Sequence, residues 1–276
     1  MTTRSVRRTR RTLRRLRPAA VGAAALLALS ACTSAGSGSG TEADSAGSSG
    51  RLSGTVTVFA AASLKETFTA LGEEFETKHP GTEVTLNFGG SDGLAAGITS
   101  GAPADVFAAA NPRTMTTVTE AGETAGAPVT FARNQLEIAT LPGNPDGISS
   151  LEDLTRPGLK VVLCDKAVPC GSAAQQALDA GGVRLTPVSY EEDVKSALTK
   201  VQLKEADAAL VYRTDVTAAG DSVTGVEFPE AAEAVNDYPI ALLKDSGNPD
   251  TARAFVELVT SAEGRQVLGG AGFLKP

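Results

Sequence analysis

Four places in this sequence set hydrogen-bond donors at the start of a helix-like segment. Ser63 precedes an apolar periodic run, with Glu66 three residues on in a capping-box spacing. Ser91 follows Gly89 and Gly90, which let the backbone approach closely. Pro169-Cys170-Gly171 opens a third segment, and Ser189 with Glu192 caps a fourth whose first turn includes Val194. At a helix start the first backbone N–H groups lack a partner within the helix, and the dipole favours a negative guest. A serine there can accept from the backbone while its own proton points at a ligand. The chemistry on offer is the holding of an anion by neutral donors. Each turn taken singly also reads as a plain helix cap, and spacing alone does not make a site.

Catalysis finds less support. His79 is the single histidine, and beside Pro80 at a helix end it reads as a surface residue. No Ser-His-Asp set, P-loop or H-E-x-x-H motif is present. The chain is therefore read as a non-enzyme without a cofactor. Cys164 and Cys170 suit a disulfide in an oxidising compartment, with two buried free thiols as the alternative. Two cysteines and one distant histidine do not make a zinc site.

Charge is unevenly spread over the 276 residues. The net charge is −7, but eight arginines lie before residue 18; without them 17 basic residues face 32 acidic ones, a net of −15. So acidic a body is a poor partner for nucleic acid. Residues 1–17 form a basic head and residues 19–31 an apolar run, too short to span a bilayer but fitting a signal peptide over 1–31. Leu29-Ser30-Ala31-Cys32 resembles a bacterial lipobox, which implies lipidation of Cys32. The Ser-, Gly-, Ala- and Thr-rich stretch that follows reads as a flexible tether, giving a lipid-anchored linker over 32–51. The body then lies outside the cytoplasmic membrane, attached to it.

Elements that must position the four turns alternate along the body. Strands are expected at 54–61, 83–88, 104–109, 137–141, 160–163, 208–212 and 240–243. Helices are expected at 63–78, 94–99, 114–121, 172–180, 191–202 and as one amphipathic region over 249–268. The alternation argues for an α/β fold in two lobes with mostly parallel sheets.

VTVFAAASLKETF (56–68), NFGGSDGLAAGI (87–98), GAPADVFAAAN (101–111), ADAALVYRTDV (206–216) and the ending SAEGRQVLGGAGF are similar, in order, to the periplasmic molybdate-binding proteins of ABC transporters. The resemblance covers residues 52–276. It implies a two-lobed periplasmic-binding-protein-like fold with a ligand cleft between the lobes: 52–132 with 237–276 as lobe 1, and 133–236 as lobe 2. It also implies the ligand set: the hydroxyls of Ser63, Ser91 and Tyr212 with the backbone amides of Cys170 and Val194. Ser63 and Ser91 would stand on lobe 1, Cys170 and Val194 on lobe 2, and Tyr212 near the crossover. The expected ligand is molybdate or tungstate, and the expected partner an ABC permease served by a monomeric receptor. Molybdate only accepts hydrogen bonds, whereas phosphate at neutral pH usually carries a proton and wants an acceptor, so a donor-only pocket should reject phosphate.

Asp92 beside Ser91 is expected at the helix start facing water, and Glu191, Glu192 and Asp193 must point away from the pocket. A sulfate-like oxyanion or a ferric ion on the same fold is the nearer alternative, and a scaffold lipoprotein without a ligand the remoter one. Tyr190, Tyr212 and Tyr238 lie far apart in sequence, against the neighbouring tyrosines common in ferric binders. Tyr190 and Tyr238 are expected to be half-buried packing residues.

Overall fold

A computed structural model describes residues 51–276; the expected signal peptide, Cys32 and all of the tether but Arg51 lie outside the described residues. Strand β1 (Gly54–Ala61) turns Val56, Val58 and Ala60 inward, as period-2 alternation requires. It pairs in parallel with β2 (Thr82–Gly89) and β3 (Val106–Ala108). Strand β10 (Asn236–Leu242) runs antiparallel to β3 and to β4 (Val129–Asn134), giving the order β2-β1-β3-β10-β4.

The second sheet repeats this plan. It holds β5 (Leu136–Thr140), β6 (Val161–Cys164), β7 (Ser189–Glu191), β8 (Ala208–Tyr212) and β9 (Thr224–Val226), in the order β7-β6-β8-β5-β9. Strands β6, β7 and β8 are parallel, and β5 runs against β8 and β9. Each sheet thus has one reversed strand, β10 or β5, and in both cases it is the strand the chain enters on crossing over. The first crossing is a single residue, Gln135, between Asn134 and Leu136, and its carbonyl accepts from Arg213 N at 3.0 Å. The return crossing ends at Asn236, whose register partner is Asn134.

Helix α1 (Lys65–Lys78) lays Phe68, Leu71 and Phe75 on the first sheet. Phe68 and Phe75 meet Phe255 edge-on at 6.0 and 5.6 Å, geometry that aromatic quadrupoles favour. Phe255 comes from α7 (Pro249–Thr260), which is separate from α8 (Ala262–Gly270). The single region expected at 249–268 breaks because the Ser261 hydroxyl accepts from Gly264 N at 3.1 Å and starts a new helix. On the opposite face, α2 (Ser91–Thr99) and α3 (Pro112–Glu120) cover Phe107, while its neighbours Val106 and Ala108 face the α1 side.

The second lobe buries Leu136, Ile138, Val161 and Leu210 among α4 (Pro169–Ala180), α5 (Val194–Gln202) and α6 (Arg213–Ala219). Among the described residues no helix is long and apolar enough to cross a membrane.

Candidate functional site

All five residues of the expected ligand set line one small cavity, with Ala61, Gly89, Gly90, Ala110, Val168 and Asp193 among its other walls. Ser63 and Ser91 come from elements of the first sheet, Cys170, Val194 and Tyr212 from those of the second. Each of the five is buried.

Local sequence explains the placement. Ser63 lies in a 3₁₀ turn, Ala62–Leu64, directly after β1, with no side-chain cap bond to α1. The expected capping box with Glu66 is not formed. Ser63 Oγ instead sits 2.9 Å from the Tyr238 hydroxyl, and Glu66 turns outward to Lys195. Ser91 is the first residue of α2, and its Oγ accepts from Ala110 N at 3.0 Å. Cys170 is the second residue of α4, held by a disulfide to Cys164 at the end of β6. Gly171 has no room for a side chain, since a Cβ there would lie 1.8 Å from the Asp165 carbonyl oxygen.

Val194 opens α5, but its cap differs from the expectation. Asp193 is the cap, accepting from Ser196 N at 2.9 Å; Ser189 belongs to β7 and donates to Glu191 at 2.7 Å. The apolar period starts later than the first polar residues suggest, so the helix begins at 194 rather than 191. Among the described residues lining the cavity, Asp193 is the sole carboxylate, and both of its oxygens are engaged by Ser196. Asp92 stands at the start of α2, half-buried and outside the cavity: its Oδ1 is buried without a hydrogen-bond partner, and the residue lines a separate groove shared with Asp165, Glu191 and Glu192.

Helix starts α2, α4 and α5 converge on the cavity, each with unpaired first-turn N–H groups and the positive end of its dipole. No lysine or arginine lines it. A larger groove lies at the cleft mouth, lined by Lys65, Glu66, Lys195 and Lys200 with Glu191.

Three residues central to the site are not among the sequence candidates. Tyr238 was expected to be half-buried packing, yet it is fully buried and its ring lies 6.0 Å from that of Tyr212. Tyr190, given the same expectation, is 50% exposed at the sheet edge. Asn236 donates to the Tyr212 hydroxyl at 2.7 Å, and Asn134 donates to Tyr238 at 3.4 Å and to Thr214 Oγ1 at 2.8 Å. The only signal in the sequence is that amides stand among apolar residues at the strand ends, and it carries no partner. Burial raises both phenols above the ordinary tyrosine pKa, so they stay protonated donors. No group of three or more His, Cys, Asp or Glu among the described residues is placed to hold a metal.

Gly89-Gly90-Ser91-Asp92-Gly93 spells the spacing of a nucleophile elbow, but the only histidine, His79, packs on Phe75 at 4.7 Å between ring centres. Ser91 therefore has no histidine base.

Contacts across the cleft hold the lobes together. A Cβ on Gly90 would come within 2.5 Å of the Glu192 carbonyl oxygen on the other lobe. Lys195 Nζ bonds both Glu66 oxygens at 2.9 and 2.8 Å and stands 3.0 Å from Asp215 Oδ1. Arg113 donates to the Ala167 carbonyl. Burial pushes the Asp215 carboxyl up to about 6, with Lys195 pulling the other way. Burial also works against the Lys195 ammonium, but Asp215 and Glu66 hold its pKa above the ordinary lysine value.

Comparison with known proteins agrees with this architecture. The family model described as "bacterial extracellular solute-binding protein" matches residues 56–274. The molybdate-binding protein ModA of Mycobacterium tuberculosis is 50% identical over 222 residues, spanning 80% of this chain and 85% of that protein. The protein of the same name from Haemophilus influenzae is 30% identical over 242 residues, spanning 80% and 90% respectively. The solved structure of the Azotobacter vinelandii periplasmic molybdate-binding protein shares the fold, with a TM-score of 0.71 at 19% identity over 80% of this chain and 99% of that one.

Proposed function

The chain belongs to the bacterial extracellular solute-binding protein family, and from that premise we propose that it is the receptor that captures molybdate, and tungstate with it, for an ABC importer. One observation supports the reading: three hydroxyl-bearing residues and two residues at helix starts, drawn from both lobes and all buried, line a single cavity with no lysine or arginine among its walls. Such a set suits a dianion whose oxygens only accept. Each hydrogen bond to a charged acceptor is worth about 1.5–3 kcal/mol, so five together support tight binding without a counter-charge to desolvate.

Ser63, Ser91, Cys170, Val194 and Tyr212 are the proposed ligands. An anion touching donors from both lobes would stabilise the closed form, and that form would dock on the permease. The proposal extends to a monomer tethered by lipid at Cys32, with the anion as cargo and no resident cofactor. The relatives named for molybdate support the choice of anion. A competition titration with molybdate, tungstate, sulfate and phosphate tests it. Saturable binding of the first two, with sulfate and phosphate much weaker, is the expected result; sulfate binding as tightly as molybdate would overturn it.

A further inference from the structure

Each hydroxyl in the cavity has a protein donor behind it. Ser91 Oγ accepts from Ala110 N. The Tyr212 hydroxyl accepts from Asn236 Nδ2, whose amide orientation is fixed because the same nitrogen also faces the Pro169 carbonyl at 3.3 Å, a group that can only accept. Behind Ser63 the chain is longer. Asn134 Oδ1 accepts from Gln135 N at 3.0 Å, which turns the Asn134 NH₂ toward Thr214 and Tyr238. Ser63 Oγ and the Tyr238 hydroxyl stand 2.9 Å apart, a contact in which either can donate; the Asn134 donor on the Tyr238 oxygen favours Tyr238 as the donor, and the proposal takes that direction. The Ser63 proton then remains for the cavity.

We propose that Asn134, Tyr238 and Asn236 are positioning residues that fix the polarity of the cavity hydroxyls, so that each presents a proton and the site excludes oxyanions that carry one. The inference deepens the reading of the cavity as an oxyanion site and rests on it. Its location adds a second element: Asn134 ends β4, Asn236 begins β10, and the two are register partners where the chain passes between the lobes. The asparagines that orient the donors are therefore part of the crossover, and donor polarity is set together with lobe geometry. The Asn134–Asn236 pair thus does for specificity what the five ligands do for affinity.

Sulfate and hydrogen phosphate test this cleanly. In mildly alkaline buffer both are dianions of similar size, and only the second carries a proton. Tyr238→Phe removes the donor behind Ser63, whose oxygen is then free to accept from the bound anion. The sulfate-to-hydrogen-phosphate affinity ratio, read by competition against molybdate, should fall about tenfold. Asn134→Leu removes the first donor of the same chain and Asn236→Leu the donor behind Tyr212; both should move the ratio the same way. Thermal melts establish which variants fold. Equal loss for both anions in the folded variants, or an unchanged ratio, overturns the proposal, because a purely structural role weakens both alike. Wild-type protein that binds no oxyanion would instead sink the functional reading, and this inference with it.

Discussion

Ser63 and Tyr212 enter the cavity from opposite lobes with their protons as the useful group, so their loss should be felt in affinity more than in folding. Ser63→Ala and Tyr212→Phe should each weaken molybdate roughly ten- to hundredfold, the range for one hydrogen bond to a charged acceptor. Calorimetric titration reads this directly, with a thermal melt beside it; unchanged affinity in both variants would exclude them as ligands. Gly90 is the complementary case, since it contributes absence. A methyl there would meet the Glu192 carbonyl oxygen of the other lobe, and relieving such a clash costs about 1–3 kcal/mol. Gly90→Ala should therefore lower molybdate affinity about tenfold or more while leaving the isolated lobes intact. Ser63, Ser91, Cys170 and Val194 each stand in a local motif, a turn feeding a helix, but the proposed set, Tyr212 included, was nameable only through the resemblance to molybdate-binding proteins. Tyr238, Asn134 and Asn236 were not, because what makes them matter is a meeting across 175, 104 and 24 residues of chain.

Among the elements, those with long, regular periods were legible. The buried stripe of α1 and the strands β1, β2 and β8 stand within a residue or two of their expected bounds. Strands β7 and β9, three residues each, are too short to show a period, and α6 follows β8 without a break. Strand β4 mixes exposed Val129 with buried Asn134, against the usual apolar-in pattern, because its end serves the crossover.

The bridge Glu66–Lys195–Asp215 joins α1 to α5 and α6, and it makes a pH prediction. Asp215 titrates at about 6 in the folded protein against an ordinary value of 3.8. A raised carboxyl pKa means the folded form binds the proton more tightly. Its stabilising contribution is complete below about pH 4 and is lost as pH rises through about 6, up to about 3 kcal/mol. Urea midpoints across that window should show this rise on acidification in the wild type, and Asp215→Asn should remove it. Parallel profiles for the two proteins would contradict the assignment.

On the scale of the whole molecule, the proposed function has an acidic body take up a dianion. Beyond the basic head the sequence carries a net charge of −15, so the long-range field opposes the ligand and only short-range donors favour it. Salt should then help capture. Raising ionic strength shortens the Debye length from about 30 Å at 0.01 M to about 8 Å at 0.15 M, and the molybdate association rate should rise with sodium chloride. A rate that falls with salt would mean an attractive path that this charge distribution does not provide. The two-lobed fold was legible in the alternation of strands and helices; the shared plan of the two sheets, each with its one reversed crossover strand, was not, because strand direction depends on pairing rather than on period. The central claim is that one anion sits between the lobes, held by Ser63, Ser91, Cys170, Val194 and Tyr212. Anomalous scattering from crystals grown with molybdate tests it most directly. One molybdenum peak within hydrogen-bonding reach of all five is the expected result, and a peak elsewhere, or none at saturating molybdate, would contradict it.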